Sequence, residues 1–195
     1  MRNDIDLSTI TVIFDMDDVL FDFGNGFAET FAKAHPERKI LPVEQRDTFT
    51  MFRTEDIEHH DQIREVLDKP GFFASLKPIP GAIETMIAFR ERGFDTAIAS
   101  SPWRTNPTCV DDKLNALDRY AGAGWSDRAI FTNDKTRVRG TYLFDDKSEV
   151  TGSQVPTWEH IYVTQPHNAM WGGRRRVASL VEAPALIARD LGIDW

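Results

Sequence analysis

The sequence predicts an α/β protein, a Rossmann-like parallel sheet with a small helical cap inserted after its first strand. Short apolar runs alternate with longer stretches of helical periodicity, the order that parallel strands joined by right-handed crossovers produce. Two of the runs end in clustered aspartates, as expected where a sheet builds a site at the carboxyl ends of its strands. The stretch from Asp22 to Pro78 breaks the rhythm. It is too long for an ordinary connection.

Each element follows from local pattern. Ile10 to Phe14 is apolar nearly throughout and β-branched, the signature of a strand buried on both faces. Pro80-Gly81 opens a helix carrying Ile83, Met86, Ile87 and Phe89, and Gly93 closes it. Phe94 to Ala99 reads as the next strand. Residues 129–131, 142–144 and 161–163 supply three more, and a last helix runs from Pro184 towards Gly192. Phe27, Phe31 and Ala34 give the intervening stretch a helical period. The expected division is a core of residues 1–21 and 79–195 and a cap of residues 22–78. A helical bundle linking two halves of the sheet is the alternative.

Composition narrows the partners. Acidic residues outnumber basic ones, 31 to 23, for a formal charge of −8. Such a surface repels polyanions, so a nucleic acid polymer is not expected as a partner. A small anion is still admissible where a metal ion and a few lysines reverse the local potential. Cys109 is the only cysteine, which excludes an internal disulfide and a cysteine-built zinc site. No apolar run approaches a membrane span and no signal-peptide core opens the chain, so a soluble cytoplasmic protein is expected.

The segment Phe14-Asp15-Met16-Asp17-Asp18-Val19-Leu20 is the most informative. Three carboxylates crowd the end of a buried strand, where they repel one another unless a cation or raised pKa values relieve them. Hard oxygen donors of this kind suit Mg2+. A helix N-cap is the plainer explanation of an Asp at such a turn, but one cap needs one Asp. Ser100-Ser101-Pro102 ends a second strand with hydroxyls that suit a phosphate, or that simply make a turn. Lys135, in Thr132-Asn133-Asp134-Lys135-Thr136, offers a cation beside another strand end, and Asp145-Asp146 closes Leu143-Phe144 with a second acidic pair.

In this order, Asp-x-Asp, strand-end Ser, Lys and Asp-Asp, the chain resembles the haloacid dehalogenase (HAD) superfamily. The likeness is closer to its 5'(3')-deoxyribonucleotidases. It rests on residues 15–23, Phe72-Phe73 with Pro78-Ile79-Pro80-Gly81-Ala82, Ser100-Ser101-Pro102, Asp134-Lys135-Thr136 and Asp145-Asp146. Trp158-Glu159-His160, His167-Asn168 and Arg174-Arg175-Arg176 extend it towards the C-terminus.

The resemblance implies a phosphatase acting on a small phosphate ester, a (deoxy)nucleoside monophosphate, and leaves a homodimer open. Asp15 is then the nucleophile and Asp17 the general acid and base. Ser100, with Ser101 beside it, binds phosphate, and Lys135 bridges phosphate and nucleophile. Mg2+ is held by Asp15, Asp146 and the backbone carbonyl of Asp17, with Asp145 in support. Phe23 and Phe49 pack against the nucleoside. Many members carry Gly where this chain has Asp18, and Leu67 stands where an aromatic residue is expected. A phosphorylatable receiver module shares the acidic strand ends, hydroxyl and lysine, but it is shorter and lacks both the insertion and an acid such as Asp17. His59 and His60 are expected at the surface, Arg174 to Arg176 in a solvated basic turn, and Cys109 in a packing role. Trp103, Trp125 and Trp171 either line a pocket or anchor loops.

Overall fold

Val12, Ile13 and Phe14 have no solvent exposure, and they form the middle of the molecule. In the computed structural model, which describes residues 5–52 and 59–195, they belong to β1 (Thr11–Phe14). This strand runs inside a six-stranded sheet in which every paired strand is parallel, with the order β3-β2-β1-β4-β5-β6. The others are β2 (Asp95–Ser100), β3 (Ala129–Phe131), β4 (Tyr142–Asp145), β5 (Glu159–Val163) and β6 (Arg176–Val177).

Register explains why the strands deliver their polar ends to one place. Phe14 lies beside Ile98 of β2 on one side and Phe144 of β4 on the other. The next residue, Asp15, donates its backbone N–H to the Phe144 carbonyl at 2.9 Å. Asp15 and the end of β4 therefore step off the same sheet edge. Strands β2 and β3 lie to one side of β1 and β4, β5 and β6 to the other, so the chain changes direction beside Asp15. That is the crevice in which open α/β sheets bind ligands.

Among the described residues five α-helices surround this frame: α1 (Phe23–Ala34), α2 (His60–Asp68), α3 (Ala82–Glu91), α4 (Cys109–Ala121) and α5 (Ala183–Leu191). Asp22 caps α1 by accepting from the Asn25 N–H at 3.1 Å. Gly192, in the left-handed region at φ 63°, ends α5. None of the helices is long and apolar enough to cross a membrane among the described residues. The expected strands at 129–131, 142–144 and 161–163 and the expected helices after Gly81 and around Pro184 are present, with ends shifted by one or two residues.

Between β1 and α3 the described residues hold α1, α2 and short 3-10 turns but no strand. The two ends of this segment meet: Phe21 bridges Pro78, and Asp22 donates to the Lys77 carbonyl at 2.9 Å. Its apolar residues, among them Phe27, Phe31, Ile63, Val66 and Leu67, join the cluster that contains Val12, Phe14 and Phe144. The insertion thus packs on the sheet through one shared hydrophobic interior. His59 is a correction: it is 7% exposed, because it stands four residues before Ile63 and so shares the buried face of α2.

Candidate functional site

The turn after β1 folds tightly on itself. Leu20 and Phe21 both donate backbone N–H groups to the Met16 carbonyl, at 2.9 and 2.8 Å, and Asp18 donates to the Phe21 carbonyl at 2.7 Å. Asp18 takes φ 56°, the only positive value at a non-glycine among the described residues. Aspartate tolerates this conformation better than most residues, and here its carboxylate is used. Oδ1 accepts from the Gly24 N–H at 2.7 Å and Oδ2 lies 3.5 Å from Arg46 Nη1.

Asp15, Asp145 and Asp146 are all buried and bring carboxylate oxygens within 4.8 Å of one another. Lys135, also buried, reaches two of them: Nζ is 2.7 Å from Asp15 Oδ1 and 2.5 Å from Asp145 Oδ2. A short 3-10 turn (Lys135–Arg137) holds that lysine. Asp134 caps the turn, receives hydrogen bonds from Ser153 and Thr136, and is pulled down to about 2 by them, Ser153 foremost. Gly152 permits this clasp, since a Cβ there would lie 1.8 Å from Asp134 Oδ1. Trp158 Nε1 donates to the carbonyls of Lys135 and Val138 at 3.3 and 3.1 Å.

Burial dominates the electrostatics. It pushes Asp15 up to about 7, with the charges of Asp145 and Asp17 adding to it and Lys135 opposing it. Asp18 rises to about 6 for the same first reason, against the Gly24 N–H and Arg46. Asp146 rises well above the usual carboxylate range, through burial first and then the charges of Asp18, Asp145 and Asp15. Lys135 is pushed above its ordinary range: burial, the largest influence, acts the other way, but Asp145 and Asp15 together outweigh it. Burial also lowers His167 to about 4, so its ring is neutral near pH 7. His167 Nε2 lies 3.1 Å from both the carbonyl and Oδ2 of Asp146, and Asn168 Nδ2 donates to that carbonyl at 2.7 Å. His167 thereby completes a second close group with Asp18 and Asp146.

Above these carboxylates opens a cavity of about 660 Å³, a size suited to a small ligand. Asp15, Asp17, Asp145, Asp146 and Lys135 lie at its polar end, and Phe23, Phe49, Phe52, Phe73 and Trp103 form its aromatic wall. Phe52 and Trp103 stack nearly parallel, 5.8 Å apart at 11°. Trp103 is anchored by donating Nε1 to Asp68 at 2.6 Å.

The expected site residues fall together with two differences. Ser101 lines the cavity, whereas Ser100 is 1% exposed and accepts from Lys113 Nζ at 2.9 Å. The Asp17 carboxylate stays outside both close carboxylate groups and pairs with the same Lys113 at 2.7 Å. Lys113 is the functional residue that sequence reading passes over. It lies on α4, is 2% exposed, and rests 5.0 Å from the Phe73 ring. The basic run departs from a free solvated turn: Arg175 pairs with Glu159 and Asp190, and Arg176 sits in β6 over the Tyr162 ring. None of Arg174, Arg175 and Arg176 lines the cavity, and neither do Trp125 and Trp171.

Known proteins resemble this chain in sequence and in fold. Residues 8–191 match the family described as 5' nucleotidase, deoxy (pyrimidine), cytosolic type C protein. Human cytosolic-type 5'(3')-deoxyribonucleotidase is 37% identical over 166 residues, covering 82% of each chain. The human mitochondrial 5'(3')-deoxyribonucleotidase is 30% identical over 169 residues, covering 82% of this chain and 72% of its own. A HAD family hydrolase from Deinococcus radiodurans R1, solved with bound phosphate and sodium, shares the fold at a TM-score of 0.63 and 19% identity, covering 96% and 98% of the two chains. The chain therefore belongs to the cytosolic type C 5'-nucleotidase family, built on the HAD fold.

Proposed function

We propose that this protein is a Mg2+-dependent nucleotidase that releases phosphate from (deoxy)nucleoside monophosphates through an aspartyl-phosphate on Asp15. One observation carries the reading: Asp15, Lys135, Asp145 and Asp146 form a buried charged floor beneath an aromatic-walled cavity of nucleotide size. The names of the relatives, all 5'(3')-deoxyribonucleotidases, support the substrate class.

The donor set fits Mg2+. Three buried carboxylates, Asp15, Asp145 and Asp146, bring oxygens within 4.8 Å of one another, and Lys135 is the cation in direct contact with two of them. Hard oxygens crowded in this way suit a divalent cation. Asp15, Asp146 and the Asp17 carbonyl would hold it, with Asp145 behind. When bound, Mg2+ neutralises charge on the phosphoryl oxygens.

The rest falls to the chain's own groups. Lys135 holds Asp15 Oδ1, which leaves the other carboxylate oxygen to attack phosphorus as the ester P–O bond breaks. Asp17, set at the cavity and oriented by Lys113, gives its proton to the departing alkoxide oxygen. Asp17 then takes a proton from water as that water attacks the acyl-phosphate phosphorus, which frees phosphate and restores the Asp15 carboxylate. Ser101 and Lys135 bind the phosphoryl oxygens. The aromatic wall stacks the nucleoside and keeps bulk water out.

A screen of ribo- and deoxynucleoside monophosphates against sugar phosphates tests the substrate class: the nucleotides should show the higher kcat/KM, and a clear preference for sugar phosphates would overturn the reading. Asp17→Asn should lower kcat by ~10²–10⁴-fold while Mg2+ affinity, followed by calorimetry, stays within a few-fold. A variant with undiminished kcat would remove Asp17 from the mechanism.

Stability should also carry the mark of the carboxylates. Because Asp15 and Asp146 have folded pKa values above the ordinary 3.8, the folded protein holds protons between about pH 4 and 7 that the unfolded chain has lost. Asp15 and Asp146, joined by Asp18, therefore lower stability without cation as pH rises through that window, and the prediction is that these three carboxylates outweigh His160 and His167, whose lowered values act the other way. Thermal melts in chelator should show a lower Tm at pH 8 than at pH 5. Added Mg2+ should raise Tm more at pH 8 than at pH 5, where protons compete for the same oxygens. Equal Mg2+ shifts at both pH values would contradict this.

A further inference from the structure

Arg46 lines the cavity but is given no phosphoryl step above; it is 7% exposed and joins its own stretch of the inserted segment to the distant turn after β1. Its Nη1 lies 3.5 Å from Asp18 Oδ2, on the turn that also carries Asp15 and Asp17. Its Nη2 donates at 3.0 Å to the backbone carbonyl of Phe49, in the inserted segment. Space for the guanidinium is built in: a Cβ on Gly24 would approach Nη1 to 3.2 Å and Val43 Cγ1 to 3.1 Å. The αL backbone of Asp18 and the Gly24 N–H fix the carboxylate that receives it.

Phe49 has little else to place it. The side chain lines the cavity but the residue is 46% exposed, and its ring meets only the edge of His167, at 5.6 Å, and the Lys147 ammonium, at 5.6 Å, among its recorded ring contacts. A ring so lightly packed takes its position from its backbone. That backbone is tied by Arg46 to the turn that bears the nucleophile.

We infer that Arg46 is a positioning residue for nucleoside recognition: its fork sets Phe49 at a fixed height over the phosphoryl site by bridging Asp18 and the Phe49 carbonyl. This rests on the nucleotidase reading above and goes beyond it, since it assigns leaving-group selectivity to a side chain that the phosphoryl steps do not use. Lysine keeps the charge but loses the planar fork whose separate nitrogens reach Asp18 and the Phe49 carbonyl, so the two partners are no longer held in their present places.

The test compares wild type, Arg46→Lys, Phe49→Ala and the double variant on deoxyuridine 5'-monophosphate and on acetyl phosphate, which has no ring, with thermal melts confirming that each protein is folded. The expected result is a tenfold or greater rise in KM for the nucleotide in each single variant. The KM for acetyl phosphate should change by less than threefold, and the double variant should be no worse than the poorer single one. A parallel rise for both substrates, an unchanged nucleotide KM, or losses that multiply in the double variant would overturn the inference. Should Arg46→Lys fail to fold, Arg46→Gln, which keeps a polar head but removes the charge and the fork, must show the same nucleotide-selective rise. A wild-type protein that turns over acetyl phosphate but no nucleotide would overturn the nucleotidase reading, and this inference with it.

Discussion

Everything in this molecule is arranged around a concentration of buried negative charge that one lysine leaves unneutralised. Lys135 reaches Asp15 and Asp145, but Asp146 and Asp18 stand in the same dry region with Arg46 and the neutral His167 beside them. Burying an unpaired carboxylate is so costly that such groups take up protons or acquire cations. The raised pKa values of Asp15, Asp18 and Asp146 express the first outcome. On the function proposed above, binding a divalent cation together with a phosphate dianion is the second, and it would turn a destabilising arrangement into a binding site.

The scaffold is committed to holding that charge in place. Strands buried at their carboxyl ends flank Asp15, and the register of β1 with β4 brings Asp145 alongside it without any flexible connection. The Asp134 clasp through Ser153 and Thr136, with Trp158 behind it, prevents Lys135 from following its own preference for water. Asn168 and His167 pin the Asp146 backbone. Each of these is a hydrogen bond to a group that would otherwise be free to relax the repulsion by moving away. Preorganised charge of this kind is what stabilises a phosphoryl group in transfer, because no reorganisation remains to be done during the reaction.

Much of this was legible in the chain itself, for a physical reason. A central parallel strand is apolar on both faces, so the run from Ile10 to Phe14 announces itself, and carboxylates immediately after such a run have no structural purpose that needs three of them. The same holds for Leu143-Phe144 and Asp145-Asp146. Helix α4 escaped because Asp112 and Lys113 lie on its buried face and break the apolar period by which helices are recognised. Lys113 was lost with it. Strand β6 has only two residues and offers no period at all. Arg46 lies in a stretch without regular pattern, and its partners Asp18 and Phe49 become a pair only when the insertion folds back over the sheet. The family resemblance favours Ser100 over its neighbour Ser101 as the phosphate-binding hydroxyl, but alternation along the strand end sends Ser100 under Lys113 and Ser101 to the cavity.

Of the two carboxylates that Lys135 holds, Asp15 rather than Asp145 should be the one that becomes phosphorylated. Rapid quenching during turnover, followed by borohydride reduction and peptide mass spectrometry, reads it directly, since reduction converts an aspartyl-phosphate to homoserine. The account predicts homoserine in place of Asp15 and at no other aspartate, in amounts that rise when Asp17→Asn slows breakdown of the acyl phosphate. Homoserine at Asp145 or Asp146, or none under turnover conditions, would contradict it.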